Sequence, residues 1–174
     1  NLLAESLYKK LTDANISTYI DSSDKSFGFK LAEAEVNGIP VRIELGKRDI
    51  ANKVITVSRR DTLEKEQISF DEDIVSYINN LMEQIQTNLY QRAKTRRDSM
   101  TYHAKTLEEI KKIMDTQPGF IYAPWCGSTE CELKMKEIKG LKSRCITETK
   151  EYETETCVAC SKKAKHKVVW GIQY

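Results

Sequence analysis

Two close pairs of cysteines near the end of the chain, Cys126-x4-Cys131 and Cys157-x2-Cys160, stand 25 residues apart. No other feature of the sequence constrains the fold as tightly. Four thiolates gathered from two short loops form the tetrahedral donor set that a structural zinc ion takes. Cys126, Cys131, Cys157 and Cys160 are therefore expected to hold one metal, with zinc the first choice for thiolate ligands. Two other readings of the same residues stay open. Disulfides are disfavoured in a reducing compartment. A redox pair at Cys157-Val158-Ala159-Cys160 wants its first cysteine at the start of an apolar helix, and Lys162-Lys163-Ala164-Lys165-His166-Lys167 is not such a helix. That lysine run reads instead as a solvated loop. The fifth cysteine, Cys145, lies alone in an expected strand and reads as a small buried hydrophobe outside the site.

A chain of 174 residues can bury one good core or two small ones. Charged residues make up 31% but the net charge is only +2, so composition announces no polyelectrolyte partner and RNA binding has to come from local patches. No DNA partner is expected. No apolar run approaches the roughly 20 residues that span a bilayer, and no basic-then-apolar leader precedes the first element. The expectation is a cytoplasmic protein with reduced thiols and no membrane partner. The chain starts at Asn1 and enters an amphipathic pattern at once, as a piece of a longer protein would.

Leu2, Leu3, Leu7 and Leu11 recur at helical spacing, which predicts a first helix ending near Ala14. A strand is expected at Ile16 to Ile20, then a polar turn, then weak helical character from Phe27 to Val36. After the Asn37-Gly38 break, Ile39 to Gly46 alternates apolar and polar positions with period 2, as a half-buried strand does. Lys47 to Lys53 reads as a loop. Val54 to Ser58 reads as a second strand, antiparallel to the first. From Phe70 the period becomes helical, with Ile74, Tyr77, Ile78, Leu81, Met82, Ile85 and Leu89 on one face. The far end of this helix is basic, with Arg92, Lys94, Arg96 and Arg97, and a domain boundary is expected near residue 100. Those cations suit either a nucleic-acid backbone or the helix dipole. Beyond it come a short helix (Leu107 to Met114), a turn at Pro118-Gly119, a strand (Phe120 to Tyr122), a helix (Glu130 to Ile138), a strand (Ser143 to Ile146), an acidic loop (Glu148 to Glu155) and a last strand (Lys167 to Ile172).

Catalytic constellations are scarce. His103 and His166 have no nucleophile motif beside them and read as solvated surface residues. No Walker loop, GxGxxG, HExxH or paired-carboxylate arrangement appears. Neighbours such as Glu64-Lys65-Glu66 read as solvated faces.

Gly28-Phe29-Lys30, the run Glu35-Val36-Asn37-Gly38-Ile39-Pro40-Val41-Arg42-Ile43-Glu44-Leu45-Gly46, Arg48-Asp49 and Val57-Ser58-Arg59-Arg60-Asp61-Thr62 together resemble the anticodon-binding domain of class IIa aminoacyl-tRNA synthetases. Pro118-Gly119-Phe120, Trp125-Cys126-Gly127, Cys131-Glu132, Ser143-Arg144-Cys145-Ile146 and the terminal Tyr174 resemble the C-terminal extension of archaeal- and eukaryotic-type prolyl-tRNA synthetases. The resemblance covers nearly the whole chain and is thinnest between Asp71 and Thr106. It implies an α/β architecture: a class IIa anticodon-binding mixed sheet with flanking helices over residues 1–100, and a small α+β zinc-binding domain over residues 101–174. Relative to that pattern the chain lacks the apolar first strand that precedes the first helix. The parent enzyme implied by the resemblance activates proline with ATP and Mg²⁺, esterifies tRNA(Pro), and works as a homodimer through a catalytic domain lying before Asn1.

Single-stranded bases are read on their edges and stacked on planar groups. Arg42 offers a bidentate fork to guanine O6 and N7, and Glu35 an acceptor for a guanine N1 and N2 edge. The resemblance places both at the face that reads the two guanines of the proline anticodon. Arg48 and Asp49 follow as second candidates, with Lys30 and Phe29 as phosphate and stacking contacts. Alternation along a strand exposes polar side chains whatever the function, so each of these residues has an ordinary structural reading as well. The resemblance also implies that the carboxylate of Tyr174 packs toward the catalytic domain. Besides the synthetase portion, two functions stay open: a freestanding zinc-stabilised module that binds RNA or regulates translation, and a thiol redox protein using Cys157 and Cys160.

Overall fold

The computed structural model describes residues 2–117, 119–147 and 155–172. The chain divides into two compact units, residues 1–92 and 93–174. The expected turn residue Pro118, most of the expected acidic loop (148–154) and Tyr174 lie outside the described residues.

In the first unit the leucine spacing forms α1 (Leu2–Asp13), which buries Leu7 and Leu11. Asn15 adopts a left-handed conformation, φ 59°, and its amide and that of Ile16 bond back to the carbonyls of Thr12 and Leu11 at 2.9 and 3.0 Å. This turn ends the helix by satisfying its last acceptors. Ile16 then packs on the core, and residues 16–20 form no strand. The expected strand fails there because the turn, rather than a ladder, fixes Ile16, while Tyr19 and Ile20 remain exposed.

Ser26 caps α2 (Phe27–Val36), its hydroxyl accepting from the Phe29 amide. β1 (Val41–Glu44), β2 (Val54–Arg59) and β3 (Lys65–Ser69) form an antiparallel sheet in that order. Between β1 and β2 the expected loop is a short helix, α3 (Lys47–Ala51). β3 is a strand that the charged run Glu64-Lys65-Glu66 conceals. Its backbone pairs with β2 while only Ile68 is buried. The long α4 (Ile74–Ser99) starts where the Asp73 carboxylate accepts from the Val75 and Ser76 amides at 3.1 and 3.3 Å, an N-cap at the positive end of the dipole. Ile74, Ile78, Leu81 and Ile85 of α4 pack with Ile55, Val57 and Ile68 of the sheet and with Leu7 and Leu11. Met82 and Leu89, expected on that face, are exposed.

The second unit contains β4 (Thr101–His103), α5 (Leu107–Thr116), β5 (Phe120–Trp125), α6 (Thr129–Lys136), β6 (Leu141–Ile146) and β7 (His166–Ile172). The sheet order is β4-β5-β7-β6, with β4 and β5 parallel and the other pairs antiparallel. A parallel pair needs a crossover, and α5 supplies it. A capping box starts α5: Thr106 Oγ1 accepts from the Glu109 amide at 3.2 Å, and Glu109 Oε2 accepts from the Thr106 amide at 3.3 Å. β7 lies between two strands and is buried along Lys167–Gly171. Ile110, Ile121, Met135, Leu141 and Trp170 form the core around it.

Three expectations fail in this unit for one reason, the position of each residue in the sheet. Lys167, at the end of the expected solvated loop and the start of the expected last strand, is buried, because it belongs to the central strand. Cys145 is exposed, not buried, because β6 is an edge and its outer half faces solvent. His166, on β7, is half-buried and tilts against Trp125 with ring centroids 5.8 Å apart, so it is not a solvated residue.

Candidate metal centre and nucleic-acid interface

In the second unit, four thiols converge. The Sγ atoms of Cys126, Cys131, Cys157 and Cys160 all lie within 4.8 Å of one another. Cys126 is 3.6 Å from Cys131 and 3.7 Å from Cys160. These spacings are far from the roughly 2.05 Å of a disulfide. They match the edge of a tetrahedron, about 3.8 Å, drawn around a metal with the roughly 2.3 Å bonds of zinc to sulfur.

Each pair is set by its own backbone device. Cys126 follows the last residue of β5, and Gly127, at φ 87°, turns the chain into α6, whose first turn carries Cys131. Trp125 Nε1 donates to the Ser128 carbonyl at 3.1 Å and holds that corner. The second pair sits on a tight turn in which the Ser161 amide donates to the Cys157 carbonyl at 2.9 Å and the Cys157 amide to the Lys162 carbonyl at 2.7 Å. The turn is fixed to the end of β5, because the Val158 amide donates to the Pro124 carbonyl at 3.1 Å and the Lys165 amide to the Trp125 carbonyl at 2.8 Å.

The donor chemistry fits a cation. Burial pushes the Cys131 thiol up to about 12, reinforced by the thiols of Cys160 and Cys126. A backbone N–H from Lys162 brings Cys160 down to about 7 against the cost of burial. Burial outweighs the amides around Cys157 and raises it. Four thiolates are too close to ionise together unless a positive charge lies among them, and a divalent metal supplies that charge. Zinc bound here would fasten α6 and the Cys157–Cys160 turn to the end of β5.

In the first unit, strand alternation sorts the sheet into two faces. Val41, Ile43, Ile55, Val57 and Ile68 pack into the core, whereas Arg42, Glu44, Thr56, Ser58, Lys65 and Gln67 fall on the opposite face. Arg42 lies between two carboxylates. Its Nη1 is 3.6 Å from Glu35 Oε1, and its Nε donates to Glu44 Oε1 at 3.2 Å. The Glu35 side chain is half exposed at the end of α2, next to a backbone carbonyl that accepts from Arg60 Nε at 3.1 Å. Glu44 is mostly buried and also accepts from Ser58 Oγ at 2.9 Å and Lys65 Nζ at 2.9 Å. Burial raises the Glu44 carboxyl, but the hydrogen bonds from Lys65, Ser58 and Arg42 outweigh it and leave the carboxyl below its ordinary range.

The expected site residues are thus only partly brought together. Glu35 and Arg42 form one cluster. Asp49 lies over the polar face: its carboxylate accepts from the Gly46 amide at 2.9 Å, from Thr56 Oγ1 at 3.2 Å and from Gln67 Nε2 at 3.3 Å, so it secures α3 to the sheet. Arg48, on the same short helix, is exposed. Lys30 pairs with Asp21 at 3.3 Å. Phe29 is exposed, but Lys25 Nζ sits over one face of its ring, 4.7 Å from the centroid. Glu44, Ser58, Arg60 and Lys65 were not anticipated by the sequence reading. Period-2 alternation from Arg42 would have found Glu44, whereas Ser58 and Lys65 follow only from the strand register.

Residues 1–81 match the family model described as the anticodon binding domain, and residues 107–174 match the one described as prolyl-tRNA synthetase, C-terminal. Fold, polar sheet face and thiol cluster thus lie in the anticodon-reading class of domain joined to a synthetase C-terminal domain. A proline–tRNA ligase of Clostridium novyi (strain NT) is 48% identical over 155 residues, 89% of this chain and 32% of the relative. One from Clostridium botulinum (strain Loch Maree / Type A3) is 40% identical over 171 residues, 98% of this chain and 35% of the relative. One from Mesoplasma florum is 41% identical over 155 residues. The chain belongs to the prolyl-tRNA synthetase family, as its C-terminal anticodon-binding region. It spans about a third of the length of the relatives it matches. No helix among the described residues is long and apolar enough to cross a membrane.

Proposed function

We propose that this chain reads the anticodon of tRNA(Pro) through the Arg42–Glu35 cluster and forms the zinc-stapled C-terminal portion of a proline–tRNA ligase. The observation that carries this reading is Arg42, a planar donor fork held between two carboxylates on the sheet's polar face. A guanine edge offers O6 and N7 to such a fork and N1 and N2 to a carboxylate. Glu35, 3.6 Å from the fork, is the carboxylate within reach. Arg48 is the next candidate contact. Lys30 and Phe29 have partners to give up before they meet RNA, and Asp49 supports the site through the fold.

The whole enzyme would activate proline with ATP and Mg²⁺ in a catalytic domain supplied by the rest of the protein, in a cytoplasmic homodimer. Within this chain, anticodon-binding and zinc-binding domains would divide near residue 100, and the four cysteines would carry zinc. Tyr174 would contact the catalytic domain, so its deletion in the full-length enzyme would lower aminoacylation and leave zinc content unchanged.

The test is binding of the 174-residue chain to a tRNA(Pro) transcript and to one with both anticodon guanines replaced, at one fixed salt concentration. The native anticodon should bind more tightly by roughly 10- to 100-fold, the discrimination a good bidentate contact provides, and Arg42→Ala should erase the difference. Equal binding of the two RNAs by the unaltered chain would overturn the reading.

A further inference from the structure

We propose that Glu44 is a positioning residue that presets the Arg42 guanidinium for end-on reading of a base, an inference that rests on the reading of Arg42 just given. Arg42 has five N–H donors on three nitrogens, and a guanine can be gripped either by Nη1 and Nη2 together or by Nε with one Nη. Glu44 Oε1 occupies Nε at 3.2 Å. That contact removes the side-on grip and leaves the end-on pair. At the other end Glu35 Oε1 lies 3.6 Å from Nη1, beyond a good hydrogen bond, so this nitrogen is free to turn to a ligand at little cost.

Glu44 is suited to the holding role. Its side chain is 11% exposed against 51% for Glu35. Ser58 Oγ donates to Oε1 at 2.9 Å, and Lys65 Nζ donates to Oε1 at 3.0 Å and Oε2 at 2.9 Å. These bonds come from β2 and β3, whose register places Ser58 opposite both Arg42 and Lys65. Three adjacent strands therefore fix one carboxylate, and that carboxylate fixes the arginine. An arginine fixed before contact loses less conformational freedom on binding, and the angle of its fork is set in advance.

The experiment compares the 174-residue chain with its Glu44→Gln, Arg42→Ala and double variants for binding to native and guanine-replaced tRNA(Pro) transcripts. Glu44→Gln should lower the preference for the native anticodon roughly tenfold while binding of the guanine-replaced RNA changes little. The double variant should be no worse than Arg42→Ala, since the two residues act as one unit. A second readout needs no RNA: the Arg42 Nε–H proton should give a resolved, slowly exchanging NMR signal that Glu44→Gln abolishes while the β1–β3 amide spectrum persists. Full preference retained in Glu44→Gln, with Arg42→Ala losing it, overturns the positioning role and leaves the anticodon reading intact. Loss of preference in Glu44→Gln with the Nε–H signal unchanged also overturns it. No preference in the unaltered chain overturns both. If Glu44→Gln fails to fold, Glu44→Asp, which keeps the charge but shortens the reach, takes its place with the same expected outcomes.

Discussion

Asp61 and Arg59 form a two-pronged ion pair, Oδ1 to Nε at 2.8 Å and Oδ2 to Nη2 at 2.8 Å, with the Asp61 side chain almost wholly out of solvent. Asn88 of α4 donates to the same carboxylate at 2.6 Å, and Arg92 Nη1 donates to the Asp61 carbonyl at 3.2 Å. The turn after β2 is thereby fastened to the helix that covers the core.

Arg59 first, then Asn88, holds the Asp61 carboxyl far below the usual carboxylate range, against the opposing effect of burial. A carboxyl whose folded value is depressed stabilises the fold in full above its unfolded value, about 3.9, and loses that contribution as pH falls toward the folded value. Asp61→Asn is expected to cost about 2–3 kcal/mol at neutral pH by leaving Arg59 without its counter-charge. The gap to the unaltered protein should narrow below about pH 4. Hydrogen exchange at the Ile55 and Val57 amides would measure it. A gap independent of pH down to 2 would remove the linkage.

Gly119 lies against the carbonyl of Met100, and a Cβ added there would collide with that backbone oxygen. The Phe120 amide donates to the same carbonyl at 2.8 Å, so the contact starts the β4–β5 pairing. Gly119→Ala should destabilise the second unit by about 2–3 kcal/mol. Both tryptophans, Trp125 and Trp170, lie on β5 and β7, so their fluorescence in a urea titration isolates this unit. An unchanged midpoint would mean that the strand shifts freely to accept a methyl group.

Much of the fold was legible because its periodicities are local. Ile74, Ile78, Leu81 and Ile85 mark a helix face, and Arg42, Ile43 and Glu44 mark a half-buried strand. β3 was hidden because a strand with one buried residue has no alternation to see, and its place is set by pairing with β2. Cys145 and Lys167 were misjudged for a related reason. Residue type suggests burial for one and exposure for the other, but edge or centre of the sheet decides it. The thiol cluster was visible from spacing alone. The placement of Glu44 among Arg42, Ser58 and Lys65 was not, since three strands must be in register to create it.

The capping box at Thr106 satisfies one free amide of α5 by its hydroxyl, and Glu109 covers two more at Thr106 and Lys105. Thr106→Ala should cost about 1 kcal/mol, read as a lower tryptophan-fluorescence midpoint. Thr106→Ser should recover most of the loss. Failure of the serine rescue would indicate that the methyl group, rather than the hydroxyl, carries the contribution.

Metal removal is the sharpest test of the second unit. The four thiols join the end of β5, the first turn of α6 and the turn before β7, so a metal held among them would tie these three segments together. One zinc per chain is expected, and a strong chelator or Cys131→Ser should lower the tryptophan-fluorescence melting midpoint by at least about 10 °C, which for a unit of this size corresponds to about 2 kcal/mol. Protons compete for thiolates, so zinc should also be released as pH falls. The first unit has a core of its own, and the protection of its Ile55 and Val57 amides should survive the same treatment. Loss of protection in both units together would mean that they fold as one. A metal-free protein with reversible oxidation at Cys157 and Cys160 and an unchanged midpoint would instead support the redox reading of these cysteines.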